Sequence, residues 1–202
     1  MQQKIYDTFV SQFQTAVKST STLGDPFSES TYQGPQVSKA QYDRVLQYID
    51  SGHKEGATLA SGGRPSPLST HSTLDDKGGK GFFIEPTIFT NVRDDMKIYR
   101  EEVFGPLVAI APFNTEPDAV RMANDTTYGL GAALFTRDLE RAHRVAAAIE
   151  AGTVWINSSN DSDIRVPFGG FKQSGVGREL GEEGLRAYSQ IKAVHVNLGN
   201  RI

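Results

Sequence analysis

The sequence predicts an α/β fold in which helices flank a mainly parallel sheet. Three observations indicate it: helical periodicity near the start of the chain, a long apolar run suited to a buried parallel strand, and a strand–helix–strand order after residue 115. The chain has 202 residues, of which 38% are hydrophobic, and that is enough to form one core. We therefore expect residues 1–202 to form a single domain.

The first part of the chain contains two amphipathic helical patterns. Apolar residues recur at spacings of three and four over residues 3–19 and again over residues 42–49, with Gly52 as the expected helix end. Residues 57–60 could form a short strand. Residues 61–81 are rich in Gly, Pro, Ser and Thr and lack periodicity, and we interpret them as a mobile surface loop.

The middle of the chain is predicted to supply strands. Two short apolar segments, residues 82–84 and 87–89, lie on either side of Pro86. Residues 107–113 form a continuous apolar run of the kind found in a strand buried on both faces.

Helices and strands alternate from Thr115 onward. Thr115 is the expected N-cap of a helix that reaches about Asn124, and a strand follows at residues 130–135. Asp138 opens a second helix to Ala151, and residues 153–157 resemble another buried strand. Two parallel strands joined by a helix imply a right-handed crossover.

The C-terminal part is glycine-rich over residues 169–184 and ends in an alternating pattern over residues 191–196. The alternation predicts a two-sided terminal strand. No later element can cover it, so we expect residues 185–198 to be an oligomerisation segment that pairs with a partner subunit.

Composition excludes several classes of function. The formal net charge of −3 disfavours a nucleic-acid partner or an anionic membrane surface. There is no Cys, and the four His residues lie far apart in the sequence, so we expect no metal site. No apolar run approaches the length of a membrane span and the start has no apolar signal region, so the expected location is cytoplasmic.

Several segments, in this order and spacing, resemble the aldehyde dehydrogenase superfamily over essentially the whole chain. They are Gly34-Pro35-Gln36-Val37, Gly81-Phe82-Phe83-Ile84-Glu85-Pro86-Thr87, Glu101-Glu102-Val103-Phe104-Gly105-Pro106, Asn124-Asp125-Thr126-Thr127-Tyr128-Gly129-Leu130, Gly152-Thr153-Val154-Trp155-Ile156-Asn157 and Pro167-Phe168-Gly169-Gly170-Phe171-Lys172-Gln173-Ser174-Gly175. The resemblance implies a truncated form of the family's catalytic domain with a C-terminal oligomerisation strand.

The resemblance also implies a remnant of an NAD(P) site. Glu102 matches the position at which the family binds the nicotinamide ribose hydroxyls, and Phe104 matches an aromatic contact to the nicotinamide. The alternative is that Glu102 faces solvent and Phe104 packs in the core beside a turn. A glycine-rich pyrophosphate turn is absent, so we expect no cofactor on this chain alone.

A second candidate site is the polar segment between Asn157 and Phe168, which in the family lines the substrate tunnel. Asn157, Ser158 and Phe168 are the expected pocket residues. Asp161, Asp163 and Arg165 could provide acid, base and oxyanion donors for chemistry without redox change, if burial moves their pKa values toward neutrality. The alternative is a polar surface loop, since Ser, Asn and Asp clusters favour turns.

Aldehyde oxidation is not expected from this chain unaided. The family's reaction needs a thiolate that adds to the aldehyde carbonyl and forms a thiohemiacetal, from which hydride passes to the nicotinamide. By resemblance, that cysteine, the general-base glutamate and the dinucleotide-binding domain all precede the first residue of this chain. Their loss would leave an open sheet edge and an apolar patch, which we expect a homodimer or larger assembly to bury.

Three hypotheses for function follow. The first is a repurposed, cofactor-independent enzyme that acts on a small carbonyl-containing or polycyclic metabolite. The second is a pseudoenzyme that pairs with a full-length relative through its terminal strand. The third is one piece of an NAD(P)-dependent aldehyde dehydrogenase completed by a separate half. From the sequence we place the first two about equally, above the third.

Overall fold

The computed structural model describes residues 1–69 and 81–199, and it has the α/β class that the sequence predicts. The chain divides into two units, Met1–Ala119 and Val120–Ile202. The single domain over residues 1–202 stays a prediction. Among the described residues, every helix is too short or too polar to cross a lipid bilayer.

The first unit begins with a 3₁₀ turn at Gln3–Ile5 and continues as α1, Tyr6–Thr20. The second helix, α2, spans Lys39–Lys54, and its N-cap Ser38 accepts a hydrogen bond from the backbone N–H of Gln41. Both helices confirm the predicted periodicity. However, α2 continues past the predicted end at Gly52 to Lys54. Gly52 instead allows close packing, since a Cβ there would lie 3.0 Å from Cζ of the buried Phe89 ring.

A three-stranded sheet stands at the centre of the first unit. Its strands are β1 at Thr58–Ser61, β2 at Thr87–Thr90 and β3 at Leu107–Ala109, in the order β1-β2-β3. The β1–β2 pair is antiparallel and the β2–β3 pair is parallel. The central strand β2 is fully buried. The prediction of a buried strand at residues 107–113 was too long, since β3 is a short edge strand with Val108 42% exposed.

Two other predictions for this unit need correction. Residues 82–84 form no strand and make only isolated bridges, Gln36 with Phe82 and Pro65 with Ile84. The predicted mobile surface loop at residues 61–81 is attached to the body of the unit at Ser66, whose N–H donates to the carbonyl of Phe83 at 3.1 Å. Residues 70–80 of that loop lie outside the described residues.

The core of the first unit lies between α2, the sheet and the short helix α3 at Lys97–Arg100. The largest cluster of buried side chains comprises Tyr42, Val45, Tyr48, Ile49, Ala57, Ile84, Phe89, Val92, Met96, Ile98 and Val103. A second cluster joins Tyr6 of α1 to Ile88 and Ile110. The helix α4, Glu116–Asn124, begins at the predicted cap, where the Thr115 hydroxyl accepts from Asp118 N–H at 3.2 Å.

The second unit is built on two parallel strands. They are β5 at Gly131–Leu134 and β6 at Thr153–Ile156, and α5, Leu139–Ala148, connects them. The Asp138 carboxylate caps α5 by accepting from Arg141 N–H at 2.9 Å. This strand–helix–strand order confirms the prediction, although α5 ends three residues early and β6 is only half-buried.

The remaining elements of the second unit are short. The strands β4, Tyr128–Gly129, and β7, Phe171–Lys172, pair antiparallel. The helix α6 occupies Gly181–Ala187. Within the described residues, the strands therefore form three small sheets rather than one mainly parallel sheet.

The predicted terminal strand at residues 191–196 does not form. Residues 189–198 have no regular secondary structure and are exposed. A strand is defined by its hydrogen bonds to a neighbour, and no segment in the described part of the chain pairs with this one. Alternation of side chains alone therefore did not produce a strand.

Candidate active site

The turn at residues 101–105 carries the first candidate site. It follows α3 and places Glu102 and Phe104 at the surface. Phe104 is 73% exposed and has a φ of 55°, a left-handed backbone conformation that is uncommon for a side chain of this size. The alternative in which Phe104 packs in the core was therefore wrong, while Glu102 is exposed as either interpretation requires.

Helix α2 holds this turn in place. The side-chain amide of Gln41 donates to the Phe104 carbonyl, and the Tyr48 hydroxyl donates to Glu101 Oε2 at 2.8 Å. The buried Val103 side chain, between the two exposed residues, anchors the turn in the core. The turn thus presents a carboxylate and an aromatic ring on an ordered base.

The second candidate segment begins where β6 ends. Asn157 and Thr136 bond reciprocally: Thr136 N–H donates to Asn157 Oδ1 at 2.8 Å, and Asn157 Nδ2 donates to the Thr136 carbonyl at 2.9 Å. These two hydrogen bonds connect the carboxyl end of β5 to that of β6. The indole N–H of Trp155 then donates to the Asp161 carbonyl at 2.7 Å, which folds the polar segment back onto β6.

Asp163 and Arg165 form a local ion pair at the surface. Arg165 Nε donates to Asp163 Oδ1 at 2.8 Å, and Arg165 Nη2 donates to Oδ2 at 2.5 Å. These hydrogen bonds lower the pKa of Asp163 to about 2 and raise that of Arg165. Asp161 is also exposed.

The condition for acid–base chemistry at this segment, burial that moves pKa values toward neutrality, is not met at Asp163. Its pKa moves in the opposite direction, because the carboxylate accepts charge-assisted hydrogen bonds in solvent. The geometry corresponds to the polar surface loop that was the alternative. A catalytic role for Asp161, Asp163 and Arg165 stays a prediction.

A cavity of about 520 Å³ lies at the carboxyl ends of β5 and β6. Its lining residues are Phe135, Thr136, Arg137, Leu139, Ala142, Ile156 and Asn157. Of the three expected pocket residues only Asn157 lines it, whereas Ser158 and Phe168 do not. Sequence reasoning missed this cavity, although clefts at the carboxyl ends of parallel strands are typical of α/β folds and the Phe135-Thr136 pair follows such a strand.

The backbone of Phe168 forms a pair of hydrogen bonds with the backbone of Glu179. Its N–H donates to the Glu179 carbonyl at 2.7 Å, and Glu179 N–H donates back at 2.8 Å.

Across the residues that the structure covers, no group of three or more His, Asp or Glu side chains could hold a metal ion. His71 lies outside those residues.

Comparisons with known proteins show what the chain is similar to. The sequence model described as "Aldehyde dehydrogenase family" matches residues 1–194. An aldehyde dehydrogenase of Davidiella tassiana is 48% identical over 202 residues, and "Aldehyde dehydrogenase [NAD(P)+] 1" of Saccharomyces cerevisiae is 48% identical over 201. The alignments cover 100% and 98% of this chain, but only 38% of each relative.

Solved structures give the same result. A Staphylococcus aureus betaine aldehyde dehydrogenase in complex with NAD+ superposes with a TM-score of 0.90 at 40% identity, covering 100% of this chain and 39% of that one. The NAD+ complex of a Bacillus cereus aldehyde dehydrogenase has a TM-score of 0.88 at 43% identity, covering 98% of this chain and 38% of that one. This chain therefore spans less than two fifths of the proteins it matches.

Proposed function

The chain belongs to the aldehyde dehydrogenase family, and from this premise we propose that it contributes the nicotinamide-contacting turn of an NAD(P)-dependent aldehyde dehydrogenase. The observation that carries the proposal is the outward position of Phe104, whose large apolar ring is exposed at a left-handed backbone position. Residues held in sparsely populated backbone conformations cluster at active sites and ligand-binding positions. The adjacent exposed carboxylate of Glu102 completes a pair suited to a nucleoside.

The exposed residues fit the group that the family uses. Glu102 could accept hydrogen bonds from the two hydroxyls of a ribose, because a carboxylate offers two acceptor oxygens. Phe104 could place a flat apolar face against a nicotinamide ring. When bound, NAD(P)+ supplies the acceptor for hydride. Glu102 and Phe104 would orient the bound cofactor, and the Phe104 ring would exclude water from one face of the nicotinamide.

The nucleophile must come from outside these 202 residues, since they include no Cys. This favours the hypothesis in which the chain works together with a further part of an aldehyde dehydrogenase, whether in one polypeptide or two. The cofactor-independent enzyme ranks below it, because Asp161 is exposed and Asp163, which is only half-buried, has a pKa of about 2. This order reverses the one drawn from sequence.

The turn alone should bind NAD+ weakly. A ribose–carboxylate contact and one ring contact contribute about 1–3 kcal/mol together, whereas micromolar affinity needs about 8 kcal/mol. Saturation-transfer NMR detects such weak contacts. With NAD+ added to this chain, we expect transfer to the nicotinamide protons, and we expect Phe104→Ala to abolish most of it.

The matched control is Phe27→Ala, which removes an exposed phenylalanine of the same unit that lies outside both candidate sites. It should leave the nicotinamide signal unchanged. In a urea titration, the free energy of unfolding of Phe104→Ala should equal that of the wild type within about 0.5 kcal/mol, because an exposed ring contributes little to the core. Equal nicotinamide signals in wild type and Phe104→Ala would refute the proposal.

A second candidate function is that of an interaction protein, which associates either with itself or with a full-length relative. The observation that favours it is the exposed C-terminal segment, in which Ile191, Val194, Val196 and Leu198 are all open to solvent. Exposed apolar side chains on an unpaired segment are typical of a surface that a partner covers. Self-association through residues 185–198 is the form of this role that we propose.

A further inference from the structure

Three residues on one face of α2 contact the 101–105 turn. Gln41, Val45 and Tyr48 follow one another at spacings of four and three, so they lie in a row along the helix. Each reaches a different residue of the turn: Phe104, Gly105 and Glu101, respectively. We infer that Gln41 and Tyr48 are positioning residues, which hold the turn so that Glu102 and Phe104 point outward. This inference rests on the proposed function of the turn.

Tyr48 provides the firmest attachment. Its side chain is only 3% exposed, and a buried hydroxyl needs a hydrogen-bond partner. The hydroxyl donates to Glu101 Oε2 at 2.8 Å and accepts from Arg44 Nη2 at 3.5 Å. Lys97 Nζ lies 3.9 Å from Glu101 Oε2 and 5.1 Å from the centre of the Tyr48 ring. The lysine therefore contacts both the carboxylate and the aromatic ring.

The two neighbouring glutamates therefore have different roles. Both are exposed, but Glu101, whose side chain is 51% exposed, is bound to the first unit by Tyr48 and Lys97. Because consecutive side chains in an extended segment point to opposite sides, holding the Glu101 carboxylate against Tyr48 directs the Glu102 carboxylate away from α2. The backbone at Glu101 is extended, with a φ of −112° and a ψ of 150°.

Gln41 and Val45 act on the other end of the turn. The Gln41 amide donates to the carbonyl of Phe104, the residue in the left-handed conformation. A Cβ at Gly105 would lie 2.4 Å from Val45 Cγ2, so the chain must pass directly over α2. The hydrogen bond offsets part of the strain at Phe104, and the glycine lets the turn lie close enough to make it.

The test compares two buried tyrosines of α2. Tyr48→Phe removes the hydroxyl that donates to Glu101 and accepts from Arg44 Nη2 at 3.5 Å, while Tyr42→Phe removes a hydroxyl that accepts from Ser69 Oγ at 3.3 Å. Amide hydrogen exchange is measured at Glu101, whose N–H donates to the Lys97 carbonyl at 3.0 Å. We expect exchange about 5–10 times faster in Tyr48→Phe and unchanged in Tyr42→Phe, from one lost hydrogen bond.

A second readout is specific to positioning. With NAD+ as the probe, Tyr48→Phe and Glu101→Ala should reduce saturation transfer to the nicotinamide protons, although neither residue belongs to the Glu102–Phe104 pair proposed to contact the probe. Glu101→Gln keeps an oxygen that accepts from Tyr48, so it should restore the signal that Glu101→Ala loses. A purely structural residue would not show this rescue.

The outcomes separate the two claims. No nicotinamide signal with the wild-type chain would defeat the proposed function, and exchange at Glu101 would then decide alone whether Tyr48 holds the turn. Equal exchange in the two tyrosine variants would overturn the inference. So would a wild-type nicotinamide signal that persists unchanged in Tyr48→Phe and in Glu101→Ala.

Discussion

Asp163 and Arg165 give a direct test of side-chain geometry at the level of single residues. Two side-chain hydrogen bonds and one backbone hydrogen bond from Arg165 stabilise the ionised carboxylate, and they lower the pKa of Asp163 to about 2. Because the pKa of Asp163 in the folded protein lies below its ordinary value, the ion pair stabilises the folded state at every pH above that ordinary pKa. The contribution disappears as the pH falls toward 2.

We expect a carboxyl-carbon NMR titration to place the midpoint of Asp163 near pH 2. In Arg165→Gln the pKa of Asp163 should rise toward its ordinary value, since the guanidinium is its largest source of stabilisation. Arg93→Gln is the matched control, because it breaks a similar local pair with Asp95 and leaves Asp163 untouched. A midpoint of Asp163 that is the same in both variants would contradict the geometry.

Single residues also show where sequence reasoning reached its limit. The motif around Glu102 was recognisable, but the exposure of Phe104 depends on the sign of one backbone angle. Phenylalanine gives no indication of a positive φ, since the residues enriched there are Gly, Asn and Asp. Asn157, also at positive φ, is of a residue type that permits such a prediction.

At the level of elements, Lys172 links the short pieces of the second unit. Its ammonium donates to the carbonyl of Asn124 at 2.7 Å and to that of Thr126 at 3.2 Å, and it pairs with Glu150 Oε2 at 2.7 Å. These groups lie at or just after the C-terminal ends of α4 and α5, where a cation is favourable. The Lys172 side chain is only a quarter exposed.

We expect Lys172→Met to lower the free energy of unfolding by about 1–3 kcal/mol in a urea titration, because it leaves two carbonyls and a carboxylate without their shared donor. Glu150→Gln should cost less, since both carbonyls keep their partner. The control is Lys192→Met, at an exposed lysine of the C-terminal segment. Equal losses at Lys172 and Lys192 would show that the network contributes nothing.

Elements differed in how well the sequence predicted them, and the difference has a physical basis. The four longest helices were predicted because capping and periodicity are local, as at Thr115 and Asp138. Strands depend on distant partners. The run at residues 107–113 therefore gave only the three-residue edge strand β3, and the cavity at β5 and β6 was not anticipated.

At the level of the whole molecule, the C-terminal segment shows how a pattern can depend on another chain. Side chains over residues 191–196 alternate as in a strand, yet the segment makes no ladder within the described residues. It leaves Ile191, Val194 and Val196 exposed in a region that also offers unpaired backbone groups. Both features are those of a strand that lacks its neighbour.

We therefore expect this chain to self-associate, with a mass in analytical ultracentrifugation of at least twice the 22.1 kDa of one copy. Val194→Asp combined with Val196→Asp should shift the population to the monomer, because two charges would be buried in the pairing surface. Lys192→Glu, the matched control, changes the charge of the same segment without removing an apolar side chain. If the double variant keeps the wild-type mass, the alternation at residues 191–196 has no role in assembly. A wild type that is monomeric at every concentration would refute self-association through this segment.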